Sequence, residues 1–123
     1  MTYAQHALGT FIVELEGPNH CGPVGESPRE FNYEVYAQFL DCSLDSRGML
    51  IDNLDFQRYF DSIGSTRLSC ELLARQSAEY FVSLQAGCFE ITVGLWGIPN
   101  RAKVSATILR KLVEVHSTPG AGI

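Results

Sequence analysis

The sequence has few of the residues that bind nucleic acids or cross membranes. Only nine of its 123 residues are Lys or Arg and the net charge is −5, so no basic patch is available for a phosphate backbone. No apolar run approaches the roughly 18 residues that a membrane helix needs, and no basic segment followed by an apolar run marks a signal peptide. We therefore expect a cytoplasmic protein that binds neither nucleic acid nor membrane.

Recognisable metal and disulfide patterns are also missing. The four cysteines include no CxxC pair, so we expect reduced thiols rather than a disulfide framework. The three histidines are far apart in the sequence. His20 and Cys21 are adjacent and offer the start of an unrelated loop metal site, although neighbouring residues converge poorly on a tetrahedral ion. We expect no metal and no cofactor.

What is present is the alternation of apolar and polar residues that strands require. Residues 31–40 alternate cleanly, which is typical of a strand with one packed face. Residues 10–16 are rich in strand-forming residues, and residues 89–96 alternate again before a turn and a last strand over 103–115. The sequence therefore predicts four strands, two near each end of the chain.

Two helices are expected between these pairs of strands. Phe56, Tyr59, Phe60 and Ile63 recur at helical spacing, and Asn53 or Asp55 is suited to cap that helix. A second helix is predicted within residues 69–86, and both Ser69 and Ser77 are plausible caps for its start.

The order β-β-α-α-β-β predicts an α+β domain over residues 1–123, with the tail 117–123 frayed. We expect a four-stranded antiparallel sheet with both helices on one face. The other face and the long edge strands would be bare in a monomer, which is a liability for strands of this length. A homo-oligomeric ring that continues the sheet into a barrel would cover them.

Four short motifs follow one another along these elements. LDSRGMLIDNLDFQ at residues 44–57 is similar to LDxxGMVIDFxDLK, and NYEV at 32–35 is similar to the end of HGHNYxV. SAEY at 77–80 resembles the helix start (P/T)TAEN, and LWGIP at 95–99 resembles VWETP. These are motifs of the 6-pyruvoyltetrahydropterin and 6-carboxytetrahydropterin synthases, which the chain resembles over roughly residues 31–104.

The resemblance implies the tunnelling fold, whose subunits form rings, usually hexamers, with active sites between subunits. Family members typically act on planar pterin or purine-like substrates. The metal-free dihydroneopterin aldolases share the fold, and residues 91–111 have a faint likeness to theirs. On this resemblance the expected ligand is a pterin or purine-like small molecule.

The family's chemical groups are replaced at several positions. Aligned on Asn32, the zinc-binding H-x-H pair becomes Arg29 and Phe31, and neither side chain can coordinate a metal. The family's Asp-His pair has no counterpart in residues 63–68, and the carboxylate that anchors the pterin in VWETP becomes Gly97. The resemblance therefore implies a divergent member without zinc chemistry.

The candidate site residues that remain come from the same comparison. Cys21 and Glu26 resemble the family's proton-transfer residue in its Cys and Glu forms, with ordinary loop residues as the alternative. Glu79 is a candidate ligand-binding residue together with Ser77 and Arg29. Alternatively, Glu79 only stabilises the first turn of a helix that begins at Ser77.

Two aromatic residues and two basic residues can be interpreted either as functional residues or as ordinary structural ones. Trp96 and Tyr33 are candidates to line a ligand pocket, although alternating aromatics on strands more often belong to a core. Arg101 and Lys103 are expected to be solvated beside a turn.

Three functions remain open. The first is binding of a pterin or purine-like heterocycle at a subunit interface. The second is a metal-independent lyase, similar to a dihydroneopterin aldolase, in pterin, folate or deazaguanine metabolism. The third is a non-catalytic assembly subunit, either alone or together with a complete paralogue.

Overall fold

The computed structural model describes residues 2–16, 29–40, 50–97 and 103–110. Within them the chain forms two helices and five strands. The strands are β1 Thr2–Leu15, β2 Arg29–Leu40, β3 Ser65–Thr66, β4 Cys88–Gly97 and β5 Lys103–Leu109, and the helices are α1 Asn53–Asp61 and α2 Cys70–Val82. The predicted turn at 98–100, the last strand beyond 110 and the tail 117–123 lie outside the described residues.

The strands form one sheet in the order β3-β1-β2-β4-β5, curled into a half-barrel. β1, β2, β4 and β5 are antiparallel neighbours, whereas β3 is parallel to β1. The α+β class is confirmed, but the prediction of a four-stranded, purely antiparallel sheet is wrong. β3 has only two residues, and it pairs through backbone bonds from Glu14 to Gly64 (3.0 Å) and from Glu16 to Thr66 (2.8 Å).

The first strand is twice as long as its sequence predicted. β1 pairs with β2 from Thr2 opposite Leu40 to Val13 opposite Arg29. The part that was not predicted, residues 2–9, contains Ala and Gly, which have little strand preference of their own. The long partner strand β2 therefore determines the length of β1, because each pairing adds ladder hydrogen bonds.

The helix starts are fixed by side-chain caps. Asp52 caps α1 by accepting a hydrogen bond from the backbone N–H of Leu54 at 2.9 Å, so neither predicted cap was right. Ser69 caps α2 by accepting one from Leu72 at 3.2 Å. Of the two predicted starts for the second helix, the earlier one is confirmed, and Ser77 lies inside the helix.

The two helices cover one side of the sheet. α1 packs on β1, and α2 packs on β4 and β5. We call this side the covered face. Its centre is a set of stacked rings, with Phe60 at 4.4 Å from Tyr33 and 4.7 Å from Phe11, measured between ring centroids. Phe81 completes the contact, with its ring edge on Phe60 at 5.6 Å.

The other side of the sheet bears no helix among the described residues. We call it the open face. It carries the side chains that alternate with the core residues, and several of them are large and apolar. Leu8, Ile12, Tyr36 and Leu109 are exposed by 64%, 63%, 46% and 71%.

Candidate functional site

The open face contains a depression where β1, β2 and β4 lie side by side, which we call the sheet pocket. In the strand register Thr10 is opposite Asn32, and Asn32 is opposite Trp96, so these three form one row across the sheet. The pocket has a volume of about 290 Å³ and is lined by Leu8, Gly9, Thr10, Asn32, Tyr33 and Trp96.

A row of charged side chains lies next to the sheet pocket. Glu34 follows Asn32 on the open face of β2, and its two carboxylate oxygens have different partners. Oε1 accepts from Lys103 Nζ at 2.5 Å, and Oε2 is 2.8 Å from His6 Nε2. Lys103 Nζ also lies over the ring of Trp96, 4.9 Å from its centroid, a cation–π contact that joins the charged row to the pocket.

The reach of Lys103 depends on a glycine. Lys103 is on β5 and Glu34 is on β2, with β4 between them. The β4 residue opposite Glu34 is Gly94, and a Cβ placed there would be 2.8 Å from Lys103 Cε. Because Gly94 has no side chain, the Lys103 side chain can extend over β4 and reach Glu34.

Electrostatics keep Glu34 ionised. The hydrogen bond from Lys103, followed by that from His6, lowers the pKa of Glu34 below its ordinary value, and partial burial opposes them less strongly. The site at neutral pH thus contains a carboxylate whose two oxygens are both in use.

A second set of polar contacts anchors the covered face behind the pocket. Burial, with a smaller contribution from the Asp61 carboxylate, raises the pKa of Tyr33, so its phenol stays protonated and donates to Gln57 Oε1 at 2.9 Å. Gln57 Nε2 in turn donates to the Thr10 carbonyl at 2.7 Å. This network links α1 to the strands that carry the pocket.

The structure separates two of the predicted ligand-binding residues. Ser77 is fully buried in α2 and its hydroxyl donates to the Leu73 carbonyl at 2.7 Å. Glu79 is exposed on the opposite side of the helix and lies 3.4 Å from Arg75. Because Glu79 is in the third turn of α2, the alternative that it stabilises the first turn of a helix beginning at Ser77 is wrong.

Glu79 does line a second depression, along the outer side of α2. That depression has a volume of about 270 Å³ and is lined by Leu68, Leu72, Arg75, Gln76 and Glu79. It lacks an aromatic ring among its lining residues, and its charged pair is solvent-exposed. The sheet pocket therefore offers the richer set of contacts for a planar ligand.

The positions aligned with the family's zinc ligands lie at the start of β2. Phe31 is buried, with its ring 6.0 Å from that of Phe11, and Arg29 pairs through its backbone with Val13. Gly97, at the position of the pterin anchor, is opposite Phe31. The other candidates, Cys21 and Glu26, lie outside the described residues, as does His20. Among the residues that are described, no cluster of three or more His, Cys, Asp or Glu side chains has the arrangement of a metal site.

Sequence reasoning identified Trp96 and Tyr33 as pocket candidates but missed Asn32, Glu34 and His6. Alternation correctly placed Asn32 and Glu34 on one face of a strand, which was the available signal. Their relation to His6 and Lys103 depends on the order and register of four strands, and the alternation within one strand does not specify which strands are neighbours.

The wider comparisons add two findings. In the part of the chain that the structure describes, no helix has the length and apolar character needed to cross a membrane. Comparison with protein-family models and with curated proteins finds no match for this chain.

Proposed function

We propose that this chain is a divergent tunnelling-fold protein that binds a planar pterin or purine-like heterocycle in the sheet pocket, without the zinc chemistry of the pterin synthases. The observation that carries the proposal is the sheet pocket itself. It combines an aromatic ring, a carboxamide and an adjacent charged row on a sheet face that no described helix covers.

The size and composition of the pocket favour a small, flat ligand. Its volume of about 290 Å³ is at the lower end of the range of about 300–1,000 Å³ for small-molecule sites. Trp96 offers a surface for stacking, and flat heterocycles are recognised by stacking plus a few polar contacts at their edges. Asn32 and Thr10 supply such polar groups.

The same proposal includes assembly into a ring. β5 is the last strand on its side of the described sheet, and among the described residues β1 is paired on its outer side only near its end, where it meets the two-residue β3. Two edges of this kind favour strand pairing between copies. A neighbouring copy in the ring would close the solvent side of the sheet pocket and place it at a subunit interface.

Thermal melting with pterins and purines tests the binding proposal. A ligand present at 100-fold over its Kd stabilises the native state by about 2.7 kcal/mol, which gives a readily measured rise in Tm. Trp96 is the only tryptophan, so its fluorescence reports purine binding directly. We expect Trp96→Ala to abolish the rise in Tm and Leu72→Ala, in the α2 depression, to preserve it.

Two results would redirect the proposal. A rise in Tm that survives Trp96→Ala but is lost in Glu79→Gln would move the ligand to the α2 depression. If no heterocycle raises Tm, the binding proposal is wrong, and the proposed function is then that of a non-catalytic assembly subunit. The exposed apolar side chains of the open face, Leu8 and Ile12 in particular, favour that second candidate. A solution mass above that of one chain would support it only together with the absence of ligand binding, because the first proposal also includes assembly.

The lyase alternative and the partnership with a paralogue stay predictions. Proton transfer by Cys21 or Glu26 would require one of them to approach the ring held in the sheet pocket.

A further inference from the structure

The polar side chains in and beside the sheet pocket differ in how many hydrogen bonds they already make to other residues. Both oxygens of Glu34 have partners, Lys103 on one and His6 on the other. Each oxygen keeps one further acceptor position, but Glu34 is not among the residues that line the sheet pocket, and its charge-assisted hydrogen bond with Lys103 is one that a neutral ligand would not replace. Glu34 is therefore a poor first contact for a neutral heterocycle.

Asn32 is the opposite case. It lies in the middle of the row that lines the pocket, between Thr10 on β1 and Trp96 on β4. Its side chain is half-buried, and no side-chain hydrogen bond joins it to another described residue. Gln38 on the same face of β2 shows the contrast, because its carboxamide donates to Glu90 Oε1 at 2.8 Å.

We propose that Asn32 reads the edge of the bound heterocycle and selects ligands with a neighbouring donor and acceptor, such as the N–H and C=O of a lactam. This inference rests on the proposed function, since it names the group that recognises the ligand in the same pocket. The observation behind it is the juxtaposition of the single tryptophan with a carboxamide that has no side-chain hydrogen bond to another described residue, next to a carboxylate that already contacts Lys103 and His6.

The chemistry of the two groups gives them different selectivity. A carboxylate is acceptor-only and suits an edge with two donors, whereas a carboxamide has one donor and one acceptor and suits a mixed edge. Rotation of the amide by half a turn exchanges the two, so Asn32 accepts a mixed edge of either polarity. Asn32 also has no charge, so it does not repel a ring carbonyl.

Pterin and lumazine are the matched probes for this difference. Both are flat pteridines of the same size with an N3–H beside a C4 carbonyl. Pterin also presents a two-donor edge, formed by N3–H and the 2-amino group, and lumazine has a carbonyl in place of that amino group. A carboxamide can bind both compounds through the lactam edge that they share. A carboxylate binds the two-donor edge of pterin and disfavours lumazine, which lacks that edge.

Calorimetric titration at neutral pH measures the selectivity. We expect the unmodified protein to bind pterin and lumazine with Kd values within about threefold of each other. Asn32→Ala should weaken both by about tenfold, which is the usual size of a lost bidentate contact. Asn32→Asp should replace a side chain with one donor and one acceptor by a side chain with two acceptors. We expect this change to raise the preference for pterin over lumazine at least tenfold. Gln38→Ala removes the other carboxamide of the same strand face and should leave both Kd values unchanged.

The outcomes separate this inference from the proposed function. If the unmodified protein binds pterin and prefers it at least tenfold over lumazine, or if Asn32→Ala binds both as well as the unmodified protein, the role of Asn32 is overturned while heterocycle binding stands. If the unmodified protein binds neither pteridine nor any purine, the proposed function fails and the role of Asn32 fails with it. Circular dichroism and Tm of each variant without ligand establish that the fold is intact.

Discussion

The two faces of the sheet are made by the same strands and serve opposite purposes. On β1, Val13 is fully buried while its neighbour Ile12 is 63% exposed, and on β2 Val35 is fully buried beside the ion-paired Glu34. The covered face meets α1 and α2 with stacked rings, and no charged side chain is buried among the residues that the structure describes. The open face combines apolar side chains, an aromatic ring and a charged row.

This contrast shows on which side of the sheet most of the stability of the molecule is located. Burial of apolar side chains contributes most of the free energy of folding, and here that burial is on the covered face. Exposed ion pairs contribute little, so the Glu34–Lys103–His6 row adds little to stability.

The largest expected effect comes from removing a ring on the covered face. Phe60 is fully buried and stacks on both Phe11 and Tyr33, so Phe60→Ala should lower the free energy of unfolding by about 3–5 kcal/mol. Leu8→Ala, on the open face, should lower it by less than about 1 kcal/mol, because Leu8 is already 64% exposed. Urea denaturation measures both.

Phe60→Leu is a milder substitution that keeps the comparison measurable if Phe60→Ala does not fold. It keeps much of the buried volume and should cost less than Phe60→Ala but more than Leu8→Ala. Equal losses in Phe60→Leu and Leu8→Ala would show that the open face is buried in solution, as it would be within an assembly.

The second-largest effect is expected when the same substitution, Gly→Ala, is made at Gly9 and at Gly94. A Cβ at Gly9 would lie 2.5 Å from Tyr33 Cζ, and that ring is held against Phe60, so Gly9→Ala should cost about 1–3 kcal/mol. At Gly94 the added Cβ meets Lys103 Cε at 2.8 Å, the flexible end of a half-exposed side chain that can move away. Gly94→Ala should change the free energy of unfolding by less than about 0.5 kcal/mol, although it displaces Lys103 from Glu34. Thermal and urea unfolding of the two variants check the difference, and a larger loss in Gly94→Ala than in Gly9→Ala would contradict it.

The covered face was the more predictable of the two. Alternation in β2 and helical spacing in α1 identified Phe31, Val35, Phe56 and Phe60 as inward-facing, because burial imposes a period on the sequence. Residues 2–9 of β1 and all of β3 were missed. Ala4 and Gly9 give no strand signal, and two residues cannot show a period.

The open face was harder to predict because its contacts cross several strands. His6, Glu34 and Lys103 are distant in sequence, and they meet only through the pairing of β1 with β2 and of β4 with its neighbours. The motif comparison directed attention to Ser77 and Glu79, which the structure places on opposite sides of α2. Register, rather than residue type, decides which polar groups share a site.

The smallest expected effect tests how little the charged row contributes to folding. Because its pKa is lowered in the native state, Glu34 binds fewer protons when folded than when unfolded, and it stabilises the fold above its ordinary pKa. This stabilisation declines as the pH falls through the lowered pKa. Glu34→Gln should therefore cost less than about 1 kcal/mol at neutral pH, and its difference from the unmodified protein should shrink steadily on acidification.

Urea denaturation across the acidic range, in low and high salt, measures that difference. A double-mutant cycle with Lys103→Met isolates the pair, and raised salt should reduce the coupling because the side chains are partly exposed to solvent. A coupling above about 2 kcal/mol that persists in high salt would mean that the row is buried in solution. The open face would then be an interface covered by another subunit, and the contrast between the two faces would hold only for the isolated chain.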